Sequence, residues 1–265
     1  MIYGMPTLIE FDNLEENMLL CKRLGLQFVE LNMNLPQYQL NNLENINDLK
    51  RLKERFELFY TIHLDENLNI SDFNPLIASA YMKTVERAIS VAKKLDIPIL
   101  NMHMNHGIYV TLPDKKVRLF ERYKETYMDS MVKFRELCEK AIDHADISIC
   151  IENTDGFLSY EREAIELLLQ SNVFALTWDI GHSNSCGDVD EAFLMKHENR
   201  LKHFHIHDGI KESNHLTLGV GDIDLQQRLT IARNHQCRCV VETKTADSLE
   251  KSVKWLKELT LPEWY

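Results

Sequence analysis

Short apolar runs alternate with longer amphipathic ones along the whole chain. "MIYGM" (1–5), "QFVELNMN" (27–34), "FYTIHLDE" (59–66), "PILNMHMN" (98–105), "ISICIENT" (147–154), "FALTWDIG" (174–181), "HFHIHD" (203–208) and "RCVVETKT" (238–245) are rich in aliphatic, β-branched and aromatic residues, and they read as strands. The stretches between them carry apolar residues at helical spacing. In "NLEENMLLCKRLG", Leu14, Met18, Cys21 and Leu24 lie near one face and Gly25 ends the element. "NDLKRLKERFELF" follows the same rhythm, and "NPLIASAYMKTVERAISVAKKLD" opens with Asn74 as cap and Pro75 in its first turn. The longest and most charged helical segment runs from Val117 to Asp146. "DSLEKSVKWLKELTL" predicts a final helix that starts at Asp247, with Glu250 three residues on completing a capping box.

Strict strand–helix alternation favours a parallel sheet with helices outside it. Eight such units in 265 residues is the size of an α/β protein made of a single (β/α)8 TIM barrel. A doubly wound open sheet is the rival, but no Gly-rich phosphate loop follows any strand. Linkers, low-complexity tracts and close repeats are absent, so one domain is expected over residues 1–265.

A barrel gathers its chemistry where strands end and the following loops begin. Polar residues interrupt the apolar runs in those places: Glu30 and Asn32, His63, His103, then Glu152, Asn153 and Thr154, Asp179 and His182, His205, and Glu242. Burying one carboxylate or imidazole costs several kcal/mol unless it is paired or metal-bound. Six or more at separate strand ends call for a cation, because Glu152, Asp179 and Glu242 would otherwise repel one another. A set of three carboxylates and one imidazole suits Mn²⁺, Mg²⁺ or Co²⁺, and further histidines pull the preference toward Zn²⁺. In "KHFHIHDG", His203, His205 and His207 share one strand face. His205 reads as the ligand, His203 as structural one pleat deeper, and His207 as a second layer or a substrate contact.

Composition narrows the classes of partner. The formal net charge of −11 is poor for binding a phosphate backbone, so a small molecule is preferred over nucleic acid. No apolar run reaches the roughly 18–20 residues of a membrane span, and the N-terminus lacks the pattern of a signal peptide. A cytoplasmic protein without membrane contact is the expectation. The six cysteines are scattered, and Cys237 with Cys239 reads as buried thiols rather than a zinc clip. The aromatic end "LPEWY" (261–265) reads either as an interface patch, which leaves a homodimer open, or as a tail packed on the first helix.

"ICIENT", "WDIGHS", "HFHIHDG", "HLTLGVGDID" and "VVETK" resemble the xylose isomerase-like TIM barrel superfamily over nearly the full chain. That group includes sugar-phosphate isomerases, ketose epimerases and the endonuclease IV family. The resemblance implies metal ligation by Glu152, Asp179, His205 and Glu242, with the two glutamates as the proton-transfer pair. It implies substrate contact by His182 and places Lys211 where ketose 3-epimerases carry a substrate-binding arginine; Leu158 stands where they carry a glutamate. The endonuclease IV likeness adds His63, His103, His182 and His215 as further ligands. Its third metal site would also need an aspartate where this chain has Ser213. The resulting expectation is a metal-dependent sugar or sugar-phosphate isomerase or epimerase working through an enediolate on a carbohydrate substrate. Its alternative is a metal-dependent phosphodiesterase or abasic-site nuclease with an incomplete third site. A barrel that only binds its ligand around a structural metal is the third reading.

Overall fold

The computed structural model describes residues 1–259. Eight strands form its wall: β1 (Ile2–Pro6), β2 (Phe28–Asn32), β3 (Phe59–His63), β4 (Ile99–His103), β5 (Ser148–Glu152), β6 (Phe174–Asp179), β7 (Leu201–Ile206) and β8 (Arg238–Val241). They close into one parallel barrel in the order β1-β8-β7-β6-β5-β4-β3-β2, a TIM barrel. The strands stop earlier than the apolar runs, so the polar ends of "HLDE", "IENT" and "ETKT" become loop residues at the barrel mouth. The tail 261–265 lies outside the described residues, and so does the reading placed on it.

The barrel's outer layer comprises α1 (Leu14–Leu24), α2 (Ile46–Phe56), α3 (Pro75–Leu95), α4 (Lys124–Ile142), α5 (Ser159–Leu168), α6 (Glu191–Lys196), α7 (Leu225–Asn234) and α8 (Ala246–Leu259). Local chemistry sets their ends. Asn13 Oδ1 accepts the Glu16 N–H at 3.0 Å to start α1, and Gly25 in the left-handed region ends it. Asn74 and Pro75 start α3 as their types require. Two expectations shift. The last helix begins at Ala246, with the Thr245 hydroxyl accepting the Ser248 N–H at 3.2 Å, so Thr245 does the capping and Asp247 instead pairs with Lys251. The segment from Val117 does not enter its helix directly. Lys116–Arg118 pairs antiparallel with Tyr109–Thr111 around a turn containing Pro113, and one helical turn (Leu119–Arg122) precedes α4.

Alternation along each strand sorts the side chains. In β2, Val29 and Leu31 join the core under the helices while Glu30 points into the barrel, where it meets His203 of β7. Register then sets the heights at the mouth: His103 lies opposite Glu152, and Asp179 opposite His205. Among the described residues no helix is long and apolar enough to cross a membrane. All six cysteines are free; five are buried, Cys237 and Cys239 among them.

Candidate metal centre

Strands β5 to β8 bring four side chains to one point. Single ligand atoms of Glu152, Asp179, His205 and Glu242 all lie within 4.8 Å of one another. His205 Nδ1 is the hub, 3.0 Å from Glu152 Oε1, 2.9 Å from Glu242 Oε2 and 3.9 Å from Asp179 Oδ2. Glu152 and Asp179 are buried, and Glu242 is slightly exposed. Burial would raise all three carboxyls, but neighbouring charge outweighs it. His205 and His103 hold Glu152 well below the usual carboxylate range, His205 and Lys244 do so for Glu242, and His207 and His182 lower Asp179. Burial would lower His205, but the charges of Glu152, Glu30 and Glu242 drive it well above its ordinary value.

Around this group stand five more imidazoles. His103 Nε2 lies 3.1 Å and His63 Nε2 3.4 Å from Glu152 Oε2, which the Asn101 amide also reaches. His63 donates its Nδ1 proton to the Leu64 carbonyl at 2.8 Å, leaving Nε2 to face the carboxylate. On the other side, the His182 backbone N–H donates to Asp179 Oδ1 at 2.7 Å, while its Nδ1 lies 3.6 Å from Asp179 Oδ2. His215 sits with its ring centroid 5.4 Å from that of His182 and 4.1 Å from that of His207; burial lowers its pKa to about 4. His207 is an internal partner: its Nε2–H reaches Asp179 at 3.1 Å and its Nδ1 accepts the His215 N–H at 2.8 Å. Gly181 makes room for it, since a Cβ there would fall 1.8 Å from the His207 ring.

These groups open into a cleft of about 520 Å³ whose walls include His63, His103, His182, His215, Glu152, Glu242 and, at the rim, Glu66, Asn67, Asn105 and Asp155. Lys244 and His106 are among the wall residues that escaped the sequence reading. Lys244 donates to Glu242 Oε1 at 2.7 Å, and it stood in the quoted "VVETK" two residues past the ligand. His106 is held through Nδ1 by the buried Glu161, 2.8 Å away, and its carbonyl is pinned by the Tyr160 hydroxyl at 2.7 Å. Lys211 is not brought to the cleft: it is exposed at the tip of the hairpin formed by Asp208–Ile210 and Ser213–Leu216, with φ of 54°. A second cavity, of about 440 Å³, is lined by Ile2, Phe59, Pro98 and Arg238 among others and contains no histidine.

The donor set fits a divalent cation. Three carboxylates share one central imidazole, and two polar atoms of the group, Glu242 Oε2 and His182 Nδ1, are buried without a hydrogen-bond partner.

Comparison with known proteins gives the chain its family. Residues 18–259 match the family described as the xylose isomerase-like TIM barrel. An uncharacterized protein of Methanocaldococcus jannaschii is 27% identical over 229 residues, covering 81% of this chain and 74% of its own. Among solved structures, a D-tagatose 3-epimerase-like protein superposes with a TM-score of 0.76 at 22% identity, covering 97% of this chain and 96% of its own. The IOLI protein, solved with a zinc atom bound, gives 0.74 at 16% identity, covering 99% of this chain and 97% of its own.

Proposed function

This chain belongs to the xylose isomerase-like TIM barrel family, and from that premise we propose that it is a divalent-metal-dependent isomerase or epimerase of a sugar or sugar phosphate. The observation that carries the reading is the placing of Glu152 and Glu242, from β5 and the end of β8, on either side of one imidazole nitrogen. Glu152, Asp179, His205 and Glu242 would hold the ion, Mn²⁺ or Zn²⁺ before Mg²⁺ or Co²⁺, which when bound polarises a substrate carbonyl and acidifies the neighbouring C–H.

The side chains then divide the proton work. Both glutamates have pKa values held below the ordinary carboxylate range, so each is ionised, as a proton acceptor must be. Glu242 Oε2 has no hydrogen-bond donor, whereas Glu152 Oε2 accepts from Asn101 and His103. Glu242 is therefore the better group to remove the proton; it hands that proton back at the adjacent carbon, or Glu152, once it has taken a proton from solvent, delivers one on the opposite face. His63, His103, His182 and His215 contact substrate oxygens, and His106 and Lys244 orient the outer part of the molecule. The zinc atom bound in the IOLI protein and the name of the epimerase-like neighbour support a metal-dependent sugar enzyme as the class of activity.

Solvent deuterium entering a panel of ketoses, aldoses and their phosphates tests it. Exchange by the metal-loaded protein, lost in Glu242→Gln and in Glu152→Gln, is the expected outcome; full exchange in both variants refutes the proton-transfer roles. A second reading, metal-dependent phosphodiester hydrolysis, is favoured by one observation. Four imidazoles beyond the central set ring the same carboxylates, enough to hold more than one ion. Chelator-sensitive cleavage of an abasic-site duplex would establish that reading.

A further inference from the structure

Beneath the four-residue cluster the barrel buries another carboxylate, outside that set of four. Glu30, on β2, is 2% exposed. Its Oε2 accepts the Thr61 hydroxyl proton at 2.9 Å and the His203 Nε2–H at 2.9 Å, and its Oε1 lies 2.8 Å from His205 Nε2. An ionised carboxylate gains nothing from the barrel interior except such partners, so a position needing only packing would carry an aliphatic side chain.

The arrangement makes sense from the side of His205. Its ring spans two layers, with Nε2 toward Glu30 and Nδ1 toward Glu152 and Glu242. A neutral imidazole carries one proton, and the nitrogen facing an obligate acceptor keeps it. With Glu30 below, that nitrogen is Nε2, and the Nδ1 lone pair faces the carboxylates. Without Glu30, the nearest acceptors are Glu152 and Glu242; the proton moves to Nδ1 and closes the position to a cation. The 2.8 Å approach lies off the ideal N–H line, so Nε2 is still without a formal hydrogen bond and has one to gain. Thr61 and His203 hold Glu30 from its other oxygen, which leaves Oε1 for His205.

We propose that Glu30 is a positioning residue for His205: it fixes the tautomer and the aim of the ring so that Nδ1 is presented to a divalent ion. This rests on the metal-centre reading above.

Chelator competition with Zn²⁺ and the visible spectrum of the Co²⁺ form, on the full chain and on Glu30→Gln, test the inference. Glutamine keeps the volume and an acceptor oxygen but not the charge. Glu30→Gln should bind Zn²⁺ about 10- to 100-fold more weakly, the range typical of lost outer partners of a metal ligand, and the Co²⁺ bands should shift. His203→Gln, which removes a neighbour of Glu30 and not of the ion, should stay much closer to wild type. A Glu30→Gln protein that melts lower when metal-free but binds Zn²⁺ with wild-type affinity would make Glu30 merely structural and overturn the inference while leaving the metal centre standing. A wild-type chain that binds neither ion would overturn both.

Discussion

Two layers of one barrel gather carboxylate and imidazole within ligand distance, yet they differ in kind. In the lower layer Glu30 meets His203 and His205, and in the upper one Glu152, Asp179 and Glu242 meet His205. Below, a single carboxylate has a hydroxyl and two imidazoles to satisfy it. Above, three carboxylates converge on the one nitrogen Nδ1, and a buried oxygen of Glu242 has no hydrogen-bond donor. The lower group closes on itself as a hydrogen-bonded network, whereas the upper group carries an excess of acceptors that only a cation answers. The lesson is one of stoichiometry: the count of acceptors against donors separates a structural cluster from a metal centre, although both contain the same residue types.

The largest effect should come from removing one upper acceptor. Asp179→Asn keeps an oxygen for the His182 N–H that Asp179 now caps, so the short helix Ile180–Ser185 survives, but it deletes a ligand charge. Metal affinity should fall by more than the ~10- to 100-fold that outer partners cost, with deuterium exchange lost alongside. Equilibrium dialysis followed by elemental analysis measures it. Retention of stoichiometric metal would erase the distinction between the layers.

Stability should separate them next. Ion at about 100 times its dissociation constant stabilises the fold by about 2.7 kcal/mol, a rise in melting temperature of roughly 5–10 °C for a chain of this size. Thr61→Val takes a donor from the fully buried Glu30 network and should cost about 1–3 kcal/mol. That penalty belongs to the lower layer and should be nearly equal with and without metal. Calorimetry on four samples, two proteins each loaded and stripped, gives both numbers. A Thr61→Val penalty that disappears on loading would mean that the layers are not separable.

How far such distinctions reach into the sequence depends on distance along the chain. The four upper residues were legible because each interrupts an apolar strand near its end, where a barrel puts its mouth. The partnership of Glu30 with His203 spans 173 positions and appears only once the barrel closes and sets the register. His106 with Glu161 spans 55 positions and carries no local signature beyond the glutamate in the first turn of α5. Short-range errors have another origin. "KVR" continues into a charged helical pattern, and only pairing with Tyr109–Thr111 makes it a strand. At Thr245 and Asp247, two residues suited to capping compete, and the backbone chooses the earlier one.

The Glu161–His106 pair offers a smaller test, since it is a carboxylate and an imidazole matched one to one. Its hydrogen bond raises the His106 pKa above the ordinary value of about 6.5, against burial. A raised imidazole stabilises the fold fully below the unfolded value, and that contribution fades as pH climbs through the raised one. Stability of the metal-free protein should therefore decline from about pH 6.5 upward, less steeply in His106→Gln. Urea unfolding at a series of pH values reads the difference in slope. Identical slopes would show that the pair is not coupled in solution.

The smallest effect should fall on Lys211, and its smallness carries information. Chain spacing puts this lysine six residues past His205, where family likeness suggests a substrate-binding cation. The hairpin instead holds it exposed, in the left-handed backbone region, while Lys244 supplies the ammonium on the cleft wall. Asparagine tolerates that backbone well, and exposed substitutions of this kind stay within about 0.5 kcal/mol. Lys211→Asn should therefore leave melting temperature, metal affinity and exchange rate unchanged. Lys244→Met should slow exchange, because it removes the ammonium that holds Glu242 Oε1 in place and would orient the outer part of the substrate. If the two variants exchange places, with Lys211→Asn slowing exchange and Lys244→Met doing nothing, the hairpin must fold over the cleft when substrate is present. The acceptor excess that distinguishes the upper layer would then be answered from a different loop.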